Sequence, residues 1–142
     1  MDKPIAGYGW YIKRIDNALE KEANQNLQAL NLTMQQNRLL ILLAHAEEHT
    51  LSLKALEEHF GAAQSTVAGL VSRLEKKGLI EAVSSPADRR VKLARLTAEG
   101  VQLHAQSRQN VLASEARLTA NLSPEEREVF LRCLKKVYEA VK

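Results

Sequence analysis

The chain contains a single cysteine, three prolines and only 4% aromatic residues. One cysteine excludes an intrachain disulfide framework. The longest unbroken apolar run, Leu39 to Ala44, falls far short of the roughly 20 residues that a membrane-spanning helix needs. The opening stretch MDKPIAGYGWYIKRID has no apolar core of the signal-peptide kind, so a cytoplasmic protein with no membrane partner is expected. In that compartment the sequons Asn31-Leu32-Thr33 and Asn121-Leu122-Ser123 read as helix-capping sequence rather than glycosylation sites. Motifs of catalysis are missing too. There is no GxGxxG, no GxxxxGK, no HExxH, and no motif around a serine or cysteine nucleophile. No enzyme activity and no cofactor are therefore expected.

What remains is an ordinary globular composition. The 142 residues are 45% hydrophobic and 26% charged, which suits one domain spanning 1–142 with a real core. From about Tyr8 to Leu30 the apolar residues recur at helical spacing, with a polar interruption between Glu20 and Asn26. Thr33 and Gln36 form a capping box ahead of a second helix through about Glu47, whose core face is Leu39, Leu40, Leu42 and Leu43. Ser52 caps a short third helix through Phe60, and Gly61 to Ala63 turns the chain into a fourth. Gly78 stands where a left-handed cap belongs. After it Leu79 to Ser84 reads as a strand and Val91 to Leu96 as its partner, with Thr50 and Leu51 candidates for a third. Thr97 caps a long helix through about Ala120. Ser123-Pro124-Glu125-Glu126 opens the last one, which places Phe130, Cys133, Leu134, Val137, Tyr138 and Val141 on a stripe to be buried.

The fourth helix carries the first functional signal. Val67, Leu70, Val71 and Leu74 make its buried stripe. The opposite side carries Ser65, Gly69, Ser72 and Lys76, with Thr66 and Arg73 on the flank. A glycine inside an exposed helix costs about 1 kcal/mol relative to alanine. Close approach of another surface would give Gly69 a purpose. Between the strands, SPADRR joins turn residues to paired arginines, so a projecting loop carries Arg89 and Arg90 outward. From Ala62 to Leu96 the chain has seven cations, including Lys77, Lys92 and Arg95, against three anions, Glu75, Glu81 and Asp88. This window is net positive while the rest of a +3 chain is slightly negative. A local positive field is the footprint nucleic acid requires, and a solvated face would give the same count.

The helix, then RLEKKGLI, then a loop with Asp88 and Arg90 in D-x-R spacing, then a strand running into Leu96-Thr97, resembles the MarR family of winged-helix transcription regulators. The resemblance extends over nearly the whole chain. It implies a mainly α fold with a small β wing, that is, a winged helix-turn-helix module at 33–97 flanked by dimerisation helices at 1–32 and 98–142. It also implies a homodimer on pseudo-palindromic double-stranded DNA, usually as a repressor. The helix matching Gln64 to Lys77 would enter the major groove, and Arg90, oriented by Asp88, the minor groove. The sequence departs from the family at Gly69, where a longer polar or basic side chain is common. Readout would then rest on Gln64, Ser65, Thr66 and Ser72. Arg73, Arg89 and Lys92 would neutralise phosphates, and Lys76 is a further DNA-contact candidate. Arg73 could instead pair with Asp88, and of Lys76 and Lys77 at least one is expected only to suit the helix dipole.

Three further groups carry alternatives. His45 and His49 are four apart at the end of the second helix and His104 lies on the long one, a pattern that can serve a metal; solvated or capping histidines are the expected reading. Cys133, on an apolar stripe, is expected to act as a small hydrophobe rather than a redox sensor. Tyr8, Trp10 and Tyr11 suit packing across a dimer, or lining a pocket for the small aromatic effectors that MarR-like proteins often bind. A different class of function is a winged-helix module that docks another protein through its Ser/Gly face.

Overall fold

The computed structural model describes residues 6–142; the first five residues of the expected 1–32 dimerisation span lie outside that range. The chain forms two compact units, one ending at Asn110 and the other running from Val111 to Lys142.

In the first unit, α1 (Tyr8–Ala29) buries only Leu27. It ends through Asn31 at φ 56°, where Leu32 N–H donates to the Leu27 carbonyl at 2.9 Å. Asparagine tolerates that left-handed conformation better than most residues. The capping box then forms as the sequence predicts. Gln36 N–H donates to Thr33 Oγ1 and Thr33 N–H to Gln36 Oε1, each at 3.1 Å, opening α2 (Met34–His45). This helix stops at His45, short of the expected Glu47, because Ala46 is extended and Glu48 and His49 both sit at φ 54° within a single 3₁₀ turn. His45 and His49 therefore do not share a helix face, and the four-residue spacing that suggested a metal pair is not helical spacing here.

β1 (Thr50–Ser52) leads into α3 (Leu53–Phe60), capped by Ser52 Oγ, which accepts from Ala55 N–H at 3.0 Å. Gly61 closes α3 at φ 58° with Ala62 N–H bonded back to the Glu57 carbonyl, and the chain enters α4 (Gln64–Lys76). Gly78 at φ 75° ends α4 in the same manner, with Leu79 N–H on the Leu74 carbonyl at 3.0 Å. β2 (Ile80–Ser84) and β3 (Lys92–Leu96) follow, and the antiparallel sheet has the order β1-β3-β2. Its register pairs Ile80 with Leu96 and Glu81 with Arg95; the latter two form a cross-strand ion pair at 2.6 Å. The core gathers Leu39, Leu40 and Leu43 of α2, Leu56 of α3, the Val67, Leu70, Val71 and Leu74 stripe of α4, and Ile80, Ala94 and Leu96 of the sheet. The architecture is the expected one, mainly α with a small β wing built on a helix-turn-helix.

α5 (Ala98–Leu118) begins as a clasp on the end of α4. Thr97 N–H donates to the Leu79 carbonyl at 3.1 Å and Thr97 Oγ1 to the Gly78 carbonyl at 2.6 Å, while that hydroxyl accepts from Gly100 N–H. Further along, Ser107 Oγ donates to Asn37 Oδ1 at 3.2 Å.

The second unit holds the end of α5 and α6 (Pro124–Val141), which starts on a Ser123/Glu126 capping box. All of α6 is exposed in the single chain. Phe130, Cys133, Leu134, Val137, Tyr138 and Val141 are thus exposed in one copy, since amphipathicity marks an apolar face without supplying the surface that covers it.

A methyl group at position 100 would lie 2.2 Å from the Leu79 carbonyl oxygen. Gly100→Ala should accordingly lower the unfolding free energy by about 2 kcal/mol, as overpacking against backbone does, and urea unfolding followed by circular dichroism measures it.

Candidate nucleic-acid interface

The core decides which side of α4 faces out. With Val67, Leu70, Val71 and Leu74 buried, Gln64, Ser65, Thr66, Ser72, Arg73 and Lys76 are exposed and Gly69 is half-buried. A Cβ at Gly69 would meet only Arg73 Nη1, at 3.8 Å. Packing within the chain therefore places no demand on the glycine. On one flank of α4, Glu75 accepts from the Ala82 N–H of β2 at 3.1 Å, which fixes the wing beside the helix.

The wing tip is organised by one carboxylate. Asp88 Oδ1 accepts from the backbone N–H of Arg90 at 3.0 Å and from its Nε at 3.1 Å, while Oδ2 accepts from Nη2 at 3.1 Å. This is a two-pronged grip on a guanidinium whose side chain is 91% exposed. The guanidinium, with the Arg90 backbone N–H behind it, holds the Asp88 carboxyl below the usual carboxylate range. At neutral pH both groups are charged, so the pair is net neutral but holds the guanidinium in a fixed orientation on a projecting loop, with Nη1 outside the fork. Arg89 and Lys92 are exposed beside it.

Two adjacent lysines separate clearly. Lys77 Nζ donates to the Asn31 carbonyl and, at 2.9 Å, to Gln36 Oε1, so it ties the end of α4 to the α1–α2 joint. Lys76 is exposed and has no such tie. Arg73 does not pair with Asp88, whose oxygens are occupied by Arg90. It lines a groove between α4 and the start of α2 instead. Arg38 in that groove gives no signal in the sequence, because it lies on a helix whose apolar pattern and capping box explain it fully.

The other candidates sit elsewhere. Trp10 and Tyr11 pack edge to face at 5.0 Å, Arg14 lies over the Trp10 ring, and Tyr8 is exposed. His45 and His104 do meet, edge to face with ring centroids 5.9 Å apart, although His45 Nδ1 is bonded to the Ile41 carbonyl. Among the described residues no three His, Cys, Asp or Glu side chains are grouped to hold a metal.

His104 Nδ1 is buried with no hydrogen-bond partner. Burial first, then the charges of His45, Arg108 and His49, hold this imidazole below the ordinary histidine value of 6.5. The folded chain then binds fewer protons than the unfolded one, so the stabilisation is complete above 6.5 and is lost as pH falls through the lowered folded value. The urea midpoint should therefore drop between about pH 7.5 and about pH 5.5, and His104→Leu should flatten that dependence. A second expectation concerns α4, where Gly69→Ala should raise stability by about 0.5 to 1 kcal/mol in the same assay.

A sequence model of the MarR family matches residues 32–92, the span that carries the helix-turn-helix and the wing tip. A Thauera aromatica protein named as a transcriptional regulatory protein for the hcr operon is 36% identical over 88 residues, 62% of this chain and 53% of its own length. The chain thus spans about half the length of that relative. The transcriptional regulator HosA of Escherichia coli is 29% identical over 100 residues, 70% of this chain and 74% of its own length. Among solved structures, Staphylococcus aureus MepR in its DNA complex superposes with a TM-score of 0.85 at 25% identity, covering 95% of this chain and 100% of that one. With a helix-turn-helix, a wing whose D-x-R arginine is forked by its aspartate, and the match over 32–92, these residues form a winged helix-turn-helix domain of the MarR family, and the rest of the chain is similar in fold to MepR.

Proposed function

We propose that this protein represses transcription as a cytoplasmic homodimer on a pseudo-palindromic duplex and leaves the DNA when a small molecule binds. The observation that carries the reading is the Asp88–Arg90 fork, which holds a guanidinium outward at the wing tip while α4 turns a short-chained face to solvent. A guanidinium suits the negative potential of a narrow minor groove, and the neighbouring carboxylate restricts its rotamers before binding. In the major groove Gln64 can pair with adenine, Ser65, Thr66 and Ser72 can reach bases or phosphates, and Gly69 lets the helix approach closely. Arg73, Lys76, Arg89 and Lys92 supply phosphate neutralisation.

Support for DNA as the partner comes from the likeness to MepR, whose structure is a complex with DNA. Support for a dimer comes from apolar residues the single chain leaves in water, among them Ile12 and Ile15 on α1 and Phe130, Leu134 and Val137 on α6. In this reading 1–32 and 98–142 pair two copies and 33–97 reads one half-site each, so that two α4 helices lie about 34 Å apart. A regulator rather than an enzyme is consistent with what the relatives are named for.

The test is a titration against duplexes selected from a random pool, at several salt concentrations. Arg90→Ala should weaken binding and lower the slope of log Kd against log salt by about one unit. A slope equal to that of the wild type removes the wing from the mechanism. Gly69→Ala, despite its added stability, should bind the selected duplex less tightly.

A further inference from the structure

On the flank of α4 away from the wing lies a groove of about 520 Å³, walled by the start of α2, the end of α3 and α4 itself. Its apolar floor is Phe60, Ala62 and Leu70, and Arg38 and Arg73 stand at its sides. None of the residues lining it is acidic. Arg38 is held in place. Its Nη2 donates to the His59 carbonyl at 2.9 Å, and its guanidinium carbon lies 4.7 Å over the Phe60 ring. That leaves most of its five N–H donors unused. Neither arginine is paired with a carboxylate among the described residues. Thr33 Oγ1 accepts from Gln36 N–H, so its own proton is free to donate into the same space.

Two guanidiniums around an acid-free groove call for an anion. The position beside α4 says which kind: a helix in the major groove is flanked by backbone phosphates on both sides, and the wing covers only one of them. Arg38, Thr66 and Arg73 are all exposed, which suits the phosphate of a large partner better than a small acid that must bury most of its surface. Resting on the reading of the preceding subsection, we propose that this groove seats a DNA backbone phosphate. Arg38 of α2 and Arg73 of α4 clamp it from two elements and set the register of the reading helix. Arg38 is thus a DNA-positioning residue outside the helix-turn-helix and the wing.

Fluorescence anisotropy of the full chain with a selected duplex, followed across NaCl concentrations, tests this. Arg38→Gln should lower the slope of log Kd against log salt by about 0.9 per protomer, the value for one phosphate, and Arg38→Lys should retain the wild-type slope. Because Arg38→Gln also removes the contacts to His59 and Phe60, the duplex is varied as well. One methylphosphonate at the phosphate flanking the major groove should weaken the wild type at least tenfold and leave Arg38→Gln unchanged. A wild-type slope in Arg38→Gln, or equal loss in the Gln and Lys variants, overturns the assignment. So does benzoate that displaces duplex from the wild type but not from Arg38→Gln, since the groove then belongs to a small carboxylate. A wild type that binds no duplex sinks the DNA reading itself; a wild type that binds beside an unaltered Arg38→Gln sinks the clamp alone.

Discussion

Burial of the Val67, Leu70, Val71 and Leu74 stripe against the leucines of α2 and Leu56 of α3 is the constraint from which the rest follows. Four side chains of this size removed from water contribute on the order of 6 to 10 kcal/mol before entropy is counted. That term fixes the rotation of α4 about its own axis. Once the rotation is fixed, Ser65, Gly69, Ser72 and Lys76 have nowhere to point but outward. The functional face is the residue of a packing decision, and its lack of bulk is what makes it suited to a close partner.

The helix is also held at its end. Gly78 and Leu79 offer carbonyls to Thr97, Gly100 admits that backbone at a distance no side chain allows, and Lys77 reaches back to Asn31 and Gln36. These contacts join the C-terminus of α4 to the start of α5 and to the α1–α2 joint. They comprise one backbone bond, from Thr97 to Leu79, the short Thr97 hydroxyl on Gly78, and the longer Lys77 side chain, so the α5 side of the joint is the stiffer one. The wing is secured separately, by Glu75 on Ala82 and by the sheet register that pairs Glu81 with Arg95. Cations at the wing tip and in the groove by α2 then flank the same helix from opposite sides.

Much of this was legible from residue spacing. The capping boxes at Thr33 and Ser123, the turn at Gly61, the left-handed cap at Gly78 and the hairpin are settled by local signals along the chain, whereas the grip of Asp88 on Arg90 was expected from the family resemblance. Contacts over long sequence separation were not legible. Lys77 with Asn31, Arg38 with His59, and His104 against His45 depend on how helices cross, and the sequence offers no pattern for any of them. The end of α2, expected near Glu47, falls at His45 for the same reason, since no residue pattern marks the point where Ala46 leaves the helix.

By itself, then, the chain's order of residues determined the elements and the buried stripe of α4, since each is settled by 3.6-residue or 2-residue periodicity and by capping signals among near neighbours. Only the tertiary structure decided which of two adjacent lysines is free, that Arg73 faces a groove instead of the wing carboxylate, and that Gly69 stands clear of packing while Gly100 does not. Those outcomes turn on distances of a few ångströms between elements far apart in sequence, and such distances are set by the whole core at once.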